Sequence, residues 1–323
     1  MKKAFFSLSL AMLLALPGLP ALAAGLPEKL IPSGQVVGIR LNAGGVEITE
    51  VTGDGSPASV AGLKAGDIIV SLDGSNTPSM AELAQALGRA EGEVPIEYIR
   101  GGRRLKAKIT PEEKDGAKIL GIWARDAISG IGTVTFIDPE SGFFGALGHS
   151  VTSGTSEYKS GRVHPVRITG IIKGSAGQPG QLDGRLEPET ILGSVNENTA
   201  AGIFGTLEEG CEEKAIGVGQ RSSIHEGSAC ILSGAGGKVK AYSAEITKVL
   251  RSSDGRDMML TVTDPELLEL TGGIVQGMSG SPIIQDGRLI GAVTHVLVSD
   301  STKGYGISIE QMLGLSSAGE KAA

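Results

Sequence analysis

Residues Gly277-Met278-Ser279-Gly280-Ser281-Pro282 are followed by Ile283-Ile284-Gln285, an Asp286-Gly287 pair, and the apolar run Arg288 to Val293. Asp-Gly between two apolar runs is a hairpin signal, because both turn positions need positive φ. A serine on a glycine-flanked turn therefore leads into a two-stranded hairpin. Gly277 and Gly280 can take positive φ and leave the backbone bare. N–H groups can then converge beside the Ser279 hydroxyl and hold a developing oxyanion, which is worth about 10²–10³ in rate per donor. The same six residues also suit a Gly-Ser loop at a sheet edge, so the rest of the chain has to decide.

The chain has 323 residues, enough for two or three domains. Glycine accounts for 50 of them, roughly twice the usual share of about 7 %, with no Gly-X-Y period. Many short strands separated by tight turns explain that content. Aromatic residues make up 3 % and the net charge is −7, which argues against nucleic-acid binding. No phosphate-cradling Gly-Lys-Ser/Thr loop and no His-Glu-x-x-His pair occurs, and no metal or organic cofactor is expected. Residues 1–24 have the order of an export signal: Lys2 and Lys3, an apolar core from Ala4 to Leu16, then Ala21-Leu22-Ala23 as a small-x-small cleavage site. Retention of this segment as a membrane anchor is the other reading. In an exported chain Cys211 and Cys230 are candidates for one disulfide.

From residue 32 to 111 the pattern is a compact unit. It contains Ser56-Pro57-Ala58-Ser59-Val60-Ala61-Gly62-Leu63-Lys64-Ala65-Gly66-Asp67-Ile68-Ile69, a short helix ending at a glycine and feeding a buried strand. Met80, Leu83 and Leu87 follow at helical spacing. This block resembles PDZ domains of the type found with bacterial proteases. The resemblance puts Val37-Gly38-Ile39 in the carboxylate-binding loop, where a peptide would add as a β-strand with Arg40 nearby. Alternatively the unit packs against its neighbour or gates it. Residues 112–126 read as the connection. From 128 to 315 short strands recur between turn residues, which suggests a barrel or sandwich, closed by a short helix within Ile307–Leu313. The tail from Ser316 reads as disordered.

A serine nucleophile needs a base and a group that orients the base. His149 ends the Phe144-Gly145-Ala146-Leu147-Gly148 strand, where a barrel presents side chains into a cleft; His295 follows the nucleophile hairpin and is the second candidate. His164 lies in a charged stretch that reads as exposed, and His225 beside Glu226 reads as a turn residue. For the acid, Asp264 precedes Pro265 at a strand end, a position that equally suits a turn or a helix cap. Asp183, Glu187 and Glu189 are alternatives.

The succession of a PDZ unit, Gly148-His149-Ser150, Thr263-Asp264-Pro265, Gly277 to Pro282, Thr294-His295-Val296 and Gly304-Tyr305-Gly306 resembles the SpoIVB peptidase family. The resemblance covers the chain beyond its signal. It implies a mainly β protein, a PDZ domain followed by a chymotrypsin-like double β-barrel. It implies His149 as base, Asp264 as orienting acid and Ser279 as nucleophile, with the N–H groups of Gly277 and Ser279 as oxyanion hole. An acid so close to the serine departs from the chymotrypsin order. The family role is self-cleavage and processing of a membrane-bound regulator during sporulation, outside the cytoplasmic membrane. That makes a protein or peptide substrate, the chain's own N-terminal region and membrane proximity the expected partners. A PDZ scaffold without activity is the competing reading.

Overall fold

The computed structural model describes residues 26–153, 156–208, 214–250, 252 and 254–314. The expectations for residues 1–24, for Cys211 and for the tail from Ser316 fall outside these. Cys230 is half-buried and has no partner among the described residues.

Two strands organise the N-terminal half. The leading strand, Val36–Val51, and the return strand, Ile122–Ile137, each run for 16 residues and pair antiparallel along most of their length. Their first pairing stretch belongs to a barrel. The return strand passes to Phe143–Ala146, then Gly202–Leu207, Gly193–Thr199 and Ser160–Ile172, which closes back on the leading strand. A second barrel is formed by Gly227–Ser233, Lys240–Val249, Met258–Val262, Asp300–Ser308, Arg288–Leu297 and Pro282–Gln285. Each barrel has six strands, and the strand order of each closes on itself. The short helix Ile309–Met312 ends the second barrel, with Ser308 as its N-cap.

The far half of the leading strand belongs to the PDZ unit. Val46 and Glu47 pair with Ile69 and Ile68, and Val94–Arg100 and Arg103–Ile109 extend the sheet. The Ser-Pro-Ala block folds for local reasons. Ser56 caps the helix Pro57–Val60 by accepting from Ser59 N, and Pro57 fits the first helical turn. Gly62 follows at φ 75°, a conformation glycine adopts at little cost. Asp67 is buried because Arg100 grips both its oxygens at 2.7 Å while Lys64 N donates to one. Leu83 and Ala86 of the helix Met80–Arg89 face a core that includes Ile48, Ile69, Leu72 and Ile96.

The carboxylate-loop expectation is corrected here. Val37, Gly38 and Ile39 are ladder residues in the first barrel, paired with Gly132, Ile131 and Gly130 on one side and with Pro165, His164 and Val163 on the other. A strand paired on both sides has no free backbone N–H to offer a peptide carboxylate. Gly38 is small for packing, since a Cβ there would lie 2.3 Å from Leu186 Cγ. The span from Pro32 to Leu41, read from sequence as the start of the PDZ unit, thus builds the barrel.

A buried polar cluster fixes the junction. Glu47, 4 % exposed, meets Arg125 Nε at 2.7 Å across the two long strands and accepts from the Tyr158 hydroxyl. Burial first, and then Glu47, push the Tyr158 phenol up to about 12, so it stays protonated and donating.

Candidate active site

The Gly277–Pro282 turn belongs to the second barrel but is bolted to the first. Thr133 Oγ1 donates to Gly277 O at 2.7 Å, Thr133 N to Ser279 O at 3.0 Å, and Thr135 Oγ1 to Gly280 O at 2.7 Å. Both threonines are fully buried, as is Met278, which anchors the loop from inside. Gly280 sits at φ 95°, and a Cβ there would lie 2.0 Å from Thr133 O. The close approach of two backbones therefore demands glycine at this position. No local pattern of the sequence reveals this clamp, whose partners stand about 145 residues apart.

The turn sorts its N–H groups. Those of Met278, Gly280 and Ser281 donate to Val275 O, Val293 O and Met278 O. Those of Gly277 and Ser279 have no acceptor among the described residues. These are the two donors expected from sequence for an oxyanion hole. Around them lies a cleft of about 470 Å³ between the barrels, whose lining includes Ser279, His149, His295 and Gly277.

His149 follows two residues at positive φ, Leu147 at 69° and Gly148 at 70°. A leucine in the left-handed region is strained, and strain of this kind persists where the surroundings enforce it. Gly148 packs where a Cβ would come within 2.8 Å of Thr294 Cγ2, which brings the His149 turn against the second barrel. The Nδ1–H of His149 donates to Ser150 O at 2.9 Å, leaving Nε2 as the basic nitrogen. Its ring lies 5.1 Å from that of His295, centroid to centroid, tilted by 38°. Burial and then the neighbouring His149 lower the pKa of His295, which favours a neutral ring. The Ser279 hydroxyl itself donates to Thr294 O at 2.9 Å.

Asp264 is not brought to this cluster. It is the N-cap of the helix Pro265–Thr271: Oδ1 accepts from Glu266 N at 3.0 Å and Leu267 N at 3.2 Å, and Oδ2 accepts from Ser243 N at 3.1 Å. The Ser243 N–H above all, with the two helix N–H groups, holds its pKa below the usual carboxylate value. Both oxygens are committed to backbone, and Asp264 does not line the cleft. The helix-cap reading of Asp-Pro is the one the structure supports. The alternative acids stand away too. Asp183 accepts from Gln181 Nε2, Glu187 pairs with Arg167, and Glu189 is exposed. In this arrangement the group that orients His149 is the Ser150 carbonyl.

The remaining histidines are structural. His164 is buried, not exposed as its sequence surroundings suggested, and bonds Thr190 O at 2.8 Å. His225 is an exposed residue paired with Asp286.

A family model described as SpoIVB peptidase S55 matches residues 116–313, more than half of the chain, and a PDZ domain model matches residues 49–100. Among curated proteins, serine protease HTRA1 of Xenopus laevis is 38 % identical over 79 residues, 24 % of this chain and 17 % of that one. Zinc metalloprotease RasP of Shouchella clausii is 32 % identical over 133 residues, 37 % of this chain and 31 % of that one. The chain thus spans less than a third of the length of either relative. Among solved structures, the PDZ domain of an SdrC-like protein of Listeria monocytogenes matches at 29 % identity, covering 25 % of this chain and 87 % of that domain, with a TM-score of 0.23. The HtrA-type protease AlgW with decapeptide matches at 17 % identity, covering 59 % of this chain and 52 % of that one, with a TM-score of 0.36.

Proposed function

Since the chain belongs to the SpoIVB peptidase family, we propose that it is a serine endopeptidase in which Ser279 is the nucleophile and His149 the general base. One observation carries the reading. Ser279 stands in an open cleft beside two backbone N–H groups, those of Gly277 and Ser279, that have no acceptor among the described residues. Two neighbouring N–H groups that the fold leaves unpaired and turns to the cleft beside a serine hydroxyl fit a site that receives an oxyanion.

In this mechanism substrate binding turns the Ser279 hydroxyl from Thr294 O toward His149 Nε2, a tightening common between free and bound enzymes. As Oγ bonds to the peptide carbonyl carbon, His149 takes its proton and the carbonyl oxygen becomes the oxyanion on Gly277 N and Ser279 N. Collapse breaks the C–N bond and His149 gives the proton to the departing amine. Water then repeats the sequence on the acyl-serine, releasing the acid and restoring the hydroxyl. The Ser150 carbonyl keeps the Nδ1 proton in place throughout.

We extend the proposal to the chain's setting on the strength of its N-terminal pattern and the family resemblance. Residues 1–24 direct export across the cytoplasmic membrane, and the substrates are the chain's own N-terminal region and a membrane-bound regulator. The test is a time course of the purified chain beside Ser279→Ala, with an alkyl fluorophosphonate as label. Labelling and N-terminal shortening in the wild type alone support the reading. A wild type that neither shortens nor takes the label overturns it in favour of a PDZ scaffold.

A further inference from the structure

The preference of the site can be read from what walls the cleft. Among its described lining residues there is no Asp, Glu, Lys or Arg; the ionisable ones are His149 and His295. Ile274 and Val275 stand immediately before Gln276 and the oxyanion donor Gly277. Val296 and Val298 follow Thr294, whose carbonyl the Ser279 hydroxyl touches. Ile131 and Leu147 supply apolar surface from the first barrel. A peptide whose scissile carbonyl oxygen sits on Gly277 N and Ser279 N has its acyl-side residue one residue spacing, about 3.8 Å, from that point. Its side chain then enters the cleft that Ile274, Val275, Val296 and Val298 line. Val298 is 57 % exposed at the rim, an apolar group left for a ligand to cover.

A charged side chain entering this space would lose its water and meet no counter-charge on the described lining residues, which is costly. An aliphatic one would lose nothing and cover the exposed valine. We infer that the enzyme selects an aliphatic side chain, of leucine or valine type, on the acyl side of the bond it cuts. The inference rests on the proposed function and sharpens it. It distinguishes this cleft from one built for basic or acidic residues.

Three peptidyl diphenyl phosphonates decide the matter. They carry the side chain of Leu, Lys or Glu at the acyl-side position and are otherwise identical. In each, Ser279 Oγ bonds to phosphorus, phenoxide leaves, and the serine proton passes to His149. The measured quantity is the second-order rate of inactivation of the full-length protein. The Leu reagent is expected to react about a hundredfold faster than the other two, the discrimination an apolar pocket gives against a misfitting side chain. In Val298→Asp, a rim change that leaves the buried wall intact, the Leu-over-Lys ratio is expected to fall about tenfold. Each phosphonate rate is taken as a ratio to the alkyl fluorophosphonate rate of the same protein. Equal rates for Leu, Lys and Glu in a protein that the alkyl fluorophosphonate labels would overturn this inference alone. No reaction with the alkyl reagent would instead remove the peptidase reading beneath it.

Discussion

The return strand treats its two grooves in opposite ways. Along Ile122–Ala127 it pairs with the far half of the leading strand, and the helix Met80–Arg89 packs against it. Asp126 takes the N–H of Met80 at the start of that helix and pairs with Arg40. Ile122 and Ala124 pack against the PDZ core. The leading strand there has Ile68–Leu72 on one side and the return strand on the other. The edge at which a peptide would add to the PDZ sheet is thus filled by the chain itself. Along Ile128–Ile131 the return strand pairs only with the leading strand, and these residues line the open cleft. One strand closes the groove of the domain known for peptide binding and leaves a half-paired edge at the serine. In this arrangement the return strand fills the PDZ groove, and its Ile128–Ile131 stretch is open to the cleft.

The largest effect should come from the open side of this comparison. Ser279→Ala is expected to lower kcat/KM by about 10⁴–10⁶ with Tm unchanged; a residual rate within tenfold of wild type in a peptide assay would mean that another group attacks. Next comes the clamp between the barrels. Thr133→Val leaves Gly277 O without its buried donor and should cost about 1–3 kcal/mol. Denaturant unfolding reads that loss, and activity should fall with it because the oxyanion donors loosen. A variant as stable and active as wild type would show that the loop is held by Met278 and its glycines alone.

Asp264 tests the correction made above. Asp264→Ser preserves an N-cap but removes the carboxylate, so activity should stay within about threefold of wild type. Asp264→Ala should instead cost about 0.5–2 kcal/mol of stability through the lost cap. A thousandfold loss of kcat in a stably folded Asp264→Ser would restore the residue to the catalytic group. The smallest effect is the pH dependence of this cap. The folded-state pKa of Asp264 is depressed, so its contribution is present above the unfolded value of about 4 and lost as pH falls through the folded value. The Tm gap between wild type and Asp264→Ala should accordingly narrow on acidification from pH 7 to below 3. A gap that widens would mean the carboxyl is preferred protonated in the fold.

Local chemistry made much of this molecule legible. Ser56-Pro57 carries its own helix start, Asp286-Gly287 its own turn, and Gly277 and Gly280 flank a serine in a spacing that admits few conformations. His149 stands out in the sequence because a strand end with a glycine before it is a natural place to present a side chain, and the structure puts it in the cleft lining. Asp264 was ambiguous because the same residues, Asp then Pro, serve a helix cap and a strand-end acid equally well; the helix that follows and the distant Ser243 N, which together engage both its oxygens, show which. Val37-Gly38-Ile39 misled for a similar reason, since an apolar pair around a glycine suits a binding loop and a crowded ladder alike.

What the sequence determined by itself is the set of short-range commitments: caps, turns, strand alternation and the nucleophile loop, each set by residues within a few positions of one another. What only the tertiary structure decided is which long-range neighbour completes each of them. Thr133 meets Gly277, the return strand fills the PDZ edge, and Ile131 and Val296 line one cleft with no charged side chain among its described lining residues. Such meetings depend on how two closed barrels dock. Docking is governed by the summed burial of many side chains and by where glycine lets two backbones touch, and no local pattern of residues encodes that sum.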